Sequence, residues 1–299
     1  MPSHIANNSS VNKQKQDQNI SMTGKRIIVT GPTSGFGKEI TFQLATLGAE
    51  LVLACRDLER GKRTADEIAQ QTGNKNCAAM HIDTSSQKSI HEIALQLRIK
   101  YSRLDVLVNN AGINRPKWEM SGDGIELTFA TNVIGYFLLT QKLIDLLRAS
   151  APARIVNVAS TYASDFDITD LQFQRRVYDG RQAYAQSKVC NRLFTWALAR
   201  RLEGSKVTAN AMAPGLVMQT GLYRNVPPVG RLFMRVLRLF FGRTITQGAD
   251  TAIWLASSPE VEGISGGFFD QRKQIECNFK NRETEEKLWN ICEGLTAST

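Results

Sequence analysis

Histidine is nearly missing from this chain of 299 residues, occurring only at positions 4, 81 and 91. Three imidazoles so dispersed assemble neither a zinc constellation nor a Ser-His-Asp triad, and no metal is expected. Cysteine is sparse too. The five, at 55, 77, 190, 277 and 292, form no Cys-x-x-Cys and leave one unpaired, which argues for a reducing compartment. No run of about 20 apolar residues is present to span a bilayer, and the polar start has no apolar signal region, so a soluble, cytoplasmic protein is expected. No Pro/Gly/Ser-rich linker divides the chain. Residues 1–22, rich in Asn, Gln, Ser and Lys, read as a disordered polar leader, and 23–299 as a single domain. The formal charge of +9 comes from basic residues scattered among helices rather than gathered in a stripe with aromatics, so no nucleic-acid partner is expected.

What is present is alternation. Short β-branched runs over 26–30, 50–54, 78–82, 104–108, 154–159, 207–212 and 267–269 are separated by helical patterns over 38–47, 58–71, 86–100, 124–147 and 183–202. With 42% hydrophobic residues the chain has ample material for a core. The expected fold class is α/β: one doubly wound domain with a mostly parallel seven-stranded sheet and helices on both faces. Parallel pairing gathers the carboxyl ends of the strands on one edge, where ligands bind at the switch point.

Two motifs carry chemistry. The first strand breaks into Gly31-Pro-Thr-Ser-Gly35-Phe-Gly37 and then a helix, the arrangement in which glycines let the backbone approach a pyrophosphate at a helix N-terminus. The spacing is Gly-x-x-x-Gly-x-Gly rather than the commoner Gly-x-Gly-x-x-Gly. The second motif is Tyr184 and Lys188, four residues apart on a helical stretch, which places a phenol and an ammonium on one face. A nearby cation favours the phenolate and eases the departure of the proton, so the pair is a candidate general acid.

With both motifs in place the chain resembles the short-chain dehydrogenase/reductase family over about residues 24–290. Gly31, Thr33, Ser34, Gly35, Phe36 and Gly37 are similar to its cofactor turn, and Asn109, Asn110, Ala111 and Gly112 to its signature after the fourth strand. Asn132, Ser160, Tyr184 and Lys188 are similar to its catalytic four, and Pro214 and Gly215 to the pair after its sixth strand. Within the family, Leu53-Ala-Cys-Arg56-Asp57 and the stretches 193–202 and 283–290 look like the retinol dehydrogenase branch. Stretches 187–191 and 220–224 also resemble the light-dependent protochlorophyllide reductases. Those enzymes carry a longer insertion before the tyrosine than the 23 residues between Ser160 and Tyr184.

The resemblance implies a Rossmann-type fold and hydride exchange between a nicotinamide and a carbonyl or alcohol. Tyr184 would give or take the proton, Lys188 would lower its pKa and hold the nicotinamide ribose, Ser160 would hold the substrate oxygen, and Asn132 a relay water. Arg56 at the end of the second strand favours the 2′-phosphate of NADP(H), although Asp57 either neutralises it or caps the next helix. Asp83 is expected beside the adenine, and Asn110 to Gly112 near its ribose. Trp118, Phe166, Phe173, Leu222, Phe233 and Phe240 are candidate walls for a lipophilic, retinal-like or aromatic substrate. The segment 217–243 suits a substrate lid; within it 231–243 suits a helix lying on a membrane surface or one packed on the core. The family also implies dimers or tetramers. Light-dependent reduction of a chlorophyll precursor and non-catalytic NADP(H) sensing are the competing readings.

Overall fold

The computed structural model describes residues 20–162, 166–215 and 243–297. Strands β1 (Arg26–Thr30), β2 (Glu50–Cys55), β3 (Cys77–His81), β4 (Val106–Asn109), β5 (Ala153–Val158), β6 (Val207–Met212), β7 (Phe268–Asp270) and β8 (Lys273–Gln274) form one sheet in the order β3-β2-β1-β4-β5-β6-β7-β8. Every neighbouring pair is parallel except β7 and β8. The strands are connected by α1 (Gly35–Thr46), α2 (Leu58–Thr72), α3 (Gln87–Lys100), a composite α4, α5 (Gly180–Arg201) and α6 (Ile245–Ser257), and α7 (Arg282–Thr296) closes the chain. Helix α4 begins as Leu127–Phe129, widens into a π turn over Ala130–Ile134 and continues as Gly135–Ala149.

Alternation along the central strands explains why helices cover both faces. Ile27, Val29, Leu51, Leu53, Val106 and Val108 point into a core shared with Ile40 and Leu44 of α1 and Leu255 of α6. Their neighbours Ile28, Val52, Leu107 and Ile155 point into a second core with Leu97 of α3, Phe137 of α4, Leu193 of α5 and Trp289 of α7. Burial on both faces is what a near-continuous β-branched run encodes, and each large side chain so removed from water contributes about 1.5–3 kcal/mol. The strand order reverses beside β1, so the loops after β1 and β4 diverge and leave a crevice at their carboxyl ends.

The α/β class, the doubly wound sheet and the helices on both faces are as expected. The strand count is not seven but eight. The chain reverses after β7 through Gln271 and Arg272, both left-handed with φ of 50° and 61°, and β8 pairs back antiparallel. Such a turn normally advertises itself as Asn-Gly, so this one left no sequence signal. Arg272 holds it by pairing with Asp250 and donating its N–H to Thr251 Oγ1 at 3.1 Å. Met22, the last residue of the expected leader, is buried and its N–H donates to the Leu47 carbonyl at 2.7 Å.

Residues 1–19 of the expected leader and 217–242 of the expected lid, with Leu222, Phe233 and Phe240, lie outside the described residues. Arg243 at the lid's end pairs with Asp270. No helix among the described residues is long and apolar enough to cross a membrane.

The π turn of α4 is seated by Gly135, where a Cβ would lie 2.4 Å from the carbonyl oxygen of Thr84. Elsewhere in a helix alanine is preferred to glycine by about 1 kcal/mol. Here the obstacle is backbone, so Gly135→Ala is expected to lower stability by about 1–3 kcal/mol. A urea titration that found the variant as stable as the parent would refute this packing.

Candidate active site

The glycine turn is built for close approach. Gly31 and Gly35 take φ of 65° and 53°, the left-handed region that side chains avoid. Gly37 is required for a different reason: a Cβ there would sit 2.0 Å from the Gly31 carbonyl oxygen. Asn110 locks the turn from the neighbouring strand, its Nδ2 donating to the carbonyls of Thr30 at 2.8 Å and Gly31 at 3.2 Å. Thr30 Oγ1 accepts the N–H groups of Asn110 and Ala111 in return. Ser34 leads α1 without capping it through its side chain, which leaves the first-turn N–H groups open to an anion.

These residues line a cleft of about 480 Å³ that includes Gly31, Thr33, Ser34, Gly35, Phe36, Gly37, Arg56, Asn110, Ala111 and Gly112. Arg56 is exposed at the end of β2. Asp57 does not pair with it; its carboxylate accepts the Arg60 N–H at 2.9 Å and caps α2. Arg60, Thr84, Arg115 and Thr131 also line the cleft and were not anticipated. For Arg60 a signal existed, a second cation one turn into the helix that follows Arg56. Asp83 uses its carboxylate to accept the N–H and hydroxyl of Ser85, while its neighbours Ile82 and Thr84 line the cleft.

The catalytic candidates gather at the Gly112 end. Asp179 caps α5 by accepting the N–H groups of Arg181 and Gln182, so the helix starts three residues earlier than its periodicity suggests. Gly180 follows because a Cβ there would meet the Arg115 carbonyl oxygen at 2.0 Å. Lys188 is 3% exposed and donates Nζ to the Val158 carbonyl at 2.8 Å. That nitrogen lies 5.6 Å from the ring centre of half-buried Tyr184 and 5.5 Å from that of buried Tyr136. A Cβ on Gly112 would be 3.7 Å from it and 3.4 Å from Asn132 Oδ1. Tyr136 escaped the sequence reading because its position, one turn beyond Asn132 on an apolar helix, reads as core.

Asn132 is fully buried in the π turn, a distortion of a kind often found at functional sites. Its Nδ2 donates to the Ile113 carbonyl and to Ser187 Oγ, and its Oδ1 accepts the Ile113 N–H. It therefore ties the loop after β4 to α5. Ser160 follows β5 on the same edge; its Oγ accepts the Tyr162 N–H at 3.0 Å. Pro214 and Gly215 follow β6, and Gly215 packs beneath Arg243 with φ of 73°. Of the aromatic walls, Trp118 donates its indole N–H to the Gln172 carbonyl, Phe166 meets Phe279 edge to face, and Phe173 is buried against Tyr178 and Arg176.

A strand, a glycine turn that admits an anion, and a Tyr-Lys pair across the crevice define a dinucleotide-dependent oxidoreductase. Residues 25–228 match the short chain dehydrogenase family model, and the chain belongs to that family. It is 40% identical to retinol dehydrogenase 13 of Homo sapiens over 275 residues, covering 89% of this chain and 82% of the relative. Among solved structures, an uncharacterized protein from Mycobacterium paratuberculosis superposes with a TM-score of 0.75 at 27% identity, covering 94% of this chain and 97% of that one. The Pseudomonas aeruginosa RhlG/NADP active-site complex superposes with a TM-score of 0.67 at 27% identity, covering 83% and 95%.

Burial lowers the Lys188 ammonium from 10.5 to about 7. Below about pH 7 folded and unfolded chains both hold this proton; between there and 10.5 only the unfolded chain does, so this site's contribution to stability rises with pH across that window. Lys188→Met removes the titration. In urea titrations at pH 6 and pH 9 the parent is expected to gain stability relative to the variant at the higher pH, and parallel curves would contradict the assignment.

Proposed function

We propose that the protein is an NADP(H)-dependent reductase of a lipophilic aldehyde or ketone, retinal-like or aromatic, with Tyr184 as the general acid. The observation that carries this reading is the Lys188 ammonium, held between the Tyr184 ring and Gly112 at the end of the glycine cleft. Bound there, the dinucleotide would supply the hydride. Gly31 and Gly35 turn the backbone through the left-handed region and Gly37 packs on the Gly31 carbonyl, and the first turn of α1 offers N–H donors to the dinucleotide's pyrophosphate.

Arg56 and Arg60 both line the cleft at the end of β2, and Asp57 is committed to its helix cap. Two cations, with the Asp57 carboxylate lining the cleft but accepting the Arg60 N–H, suit a 2′-phosphate rather than a free 2′-hydroxyl. The NADP of the RhlG complex points the same way.

Tyr184 gives its proton to the carbonyl oxygen in reduction and takes one back in the reverse direction. Lys188, when protonated, stabilises the phenolate that remains. Ser160 donates its hydroxyl to the substrate oxygen, because a developing alkoxide needs donors already aimed at it. Asn132 acts by clamping Ile113 to Ser187, which keeps Gly112 in register with Lys188. The likeness to retinol dehydrogenase 13 and the aromatic side chains around residues 118 and 166 support a bulky apolar substrate.

Replacing Tyr184 with Phe is expected to cut the rate of retinal reduction by about 10²–10⁴-fold while leaving NADPH affinity unchanged. Undiminished turnover would remove the tyrosine from the mechanism, and a parent that binds NADPH but reduces no aldehyde or ketone would favour a sensing role. For the cofactor, Arg56→Ala is expected to weaken NADPH binding about 10- to 100-fold and NADH hardly at all. Fluorescence titration showing equal losses for the two would overturn the NADP(H) assignment.

A further inference from the structure

Arg192 is 4% exposed, yet no carboxylate pairs with it among the described residues. Its Nη2 donates to the main-chain carbonyl of Ser160 at 2.6 Å and its Nη1 to Cys277 Sγ at 3.0 Å. The guanidinium lies over the Phe268 ring, 4.6 Å from its centre, and Nε meets no acceptor among the described residues. Removing a cation from water without a counter-ion is costly, and apolar residues commonly fill such positions with no loss of stability. The charge is therefore explained by what it holds.

Of these two hydrogen bonds, the one to Ser160 reaches the reaction. Ser160 Oγ already accepts the Tyr162 N–H, which occupies a lone pair and leaves the hydroxyl hydrogen to be given away. With its carbonyl fixed by Arg192 and its side-chain oxygen by Tyr162, the serine has a defined direction in which to donate. Tyr184, Lys188 and Arg192 also recur every four residues along α5, so a single helical face carries all three.

We propose that Arg192 is a positioning residue that clamps the Ser160 backbone and thereby aims its hydroxyl at the substrate oxygen. The proposal rests on the role of Ser160 given above. It is specific to a guanidinium, since an unbranched apolar side chain fills the same space without a donor.

The test is a double-mutant cycle of Arg192→Met and Ser160→Ala, measured as kcat and KM with retinal and saturating NADPH. Arg192→Met alone is expected to lower kcat about 10- to 100-fold, as small misplacements of a reacting group do, and to leave the KM for NADPH and the pH profile unchanged. In the Ser160→Ala background it should cost nothing further. Losses that multiply in the double variant, or an unaltered kcat in Arg192→Met, would overturn the clamp while leaving the Ser160 role intact. A fully active Ser160→Ala would instead refute the serine's role and with it the clamp. If Arg192→Met does not fold, Arg192→Lys replaces it in the cycle; retaining one donor, it should lose less kcat in the Ser160 background and again nothing in the Ser160→Ala background, and multiplying losses would count against the proposal in the same way.

Discussion

A lysine ammonium removed from water is the constraint around which the rest of this structure is arranged. Lys188 meets no carboxylate among the described residues; it has one carbonyl, from Val158, and the faces of two tyrosine rings. Burial lowers its pKa to about 7, so near neutral pH it keeps its charge only in part, and only where surrounding groups are fixed. Holding it requires the end of β5, the start of α5, the π turn of α4 and the loop after β4 to keep their mutual distances, and the last two of these also line the crevice.

Buried polar contacts supply that rigidity. Asn109 Nδ2 donates to Asn157 Oδ1 and Thr140 Oγ1, and Asn157 Nδ2 donates to Thr195 Oγ1, which ties β4, β5, α4 and α5 together. Asn132 repeats the device nearer the site, joining Ile113 to Ser187. Apolar packing alone sets which faces meet, whereas directional bonds of this kind set register to a fraction of an ångström. On the cofactor side Asn110 does the same for the glycine turn. The oxidoreductase site is thus a set of loops held in register by side-chain amides.

Much of this was legible in the residue order. The parallel sheet followed from β-branched runs separated by helical periods, and the glycine turn from its place between strand and helix. Tyr184 and Lys188 were visible as a four-residue spacing. Other features were not. The π turn has no local signature, since its residues Ala130–Ile134 would serve equally in an ordinary helix. The left-handed turn at Gln271 and Arg272 uses residues that rarely adopt that conformation, so the eighth strand was missed. Whether Asp57 would neutralise Arg56 or cap α2 depended on a hydrogen bond to the Arg60 N–H, which is a matter of side-chain direction rather than of sequence.

The order of residues by itself determined the fold class and the family and marked out the candidate acid and its cation, because periodicity, glycine placement and helical spacing are properties of neighbours along the chain. Only the tertiary structure decided which groups Lys188 would face, that Asn132 would spend its amide on Ile113 and Ser187, and that Arg192 would reach the carbonyl of Ser160. Those outcomes depend on residues 19 to 55 positions apart being brought within hydrogen-bonding distance across β4, β5 and α5. A bond of that length and direction is set by packing, and packing is a property of the whole sheet.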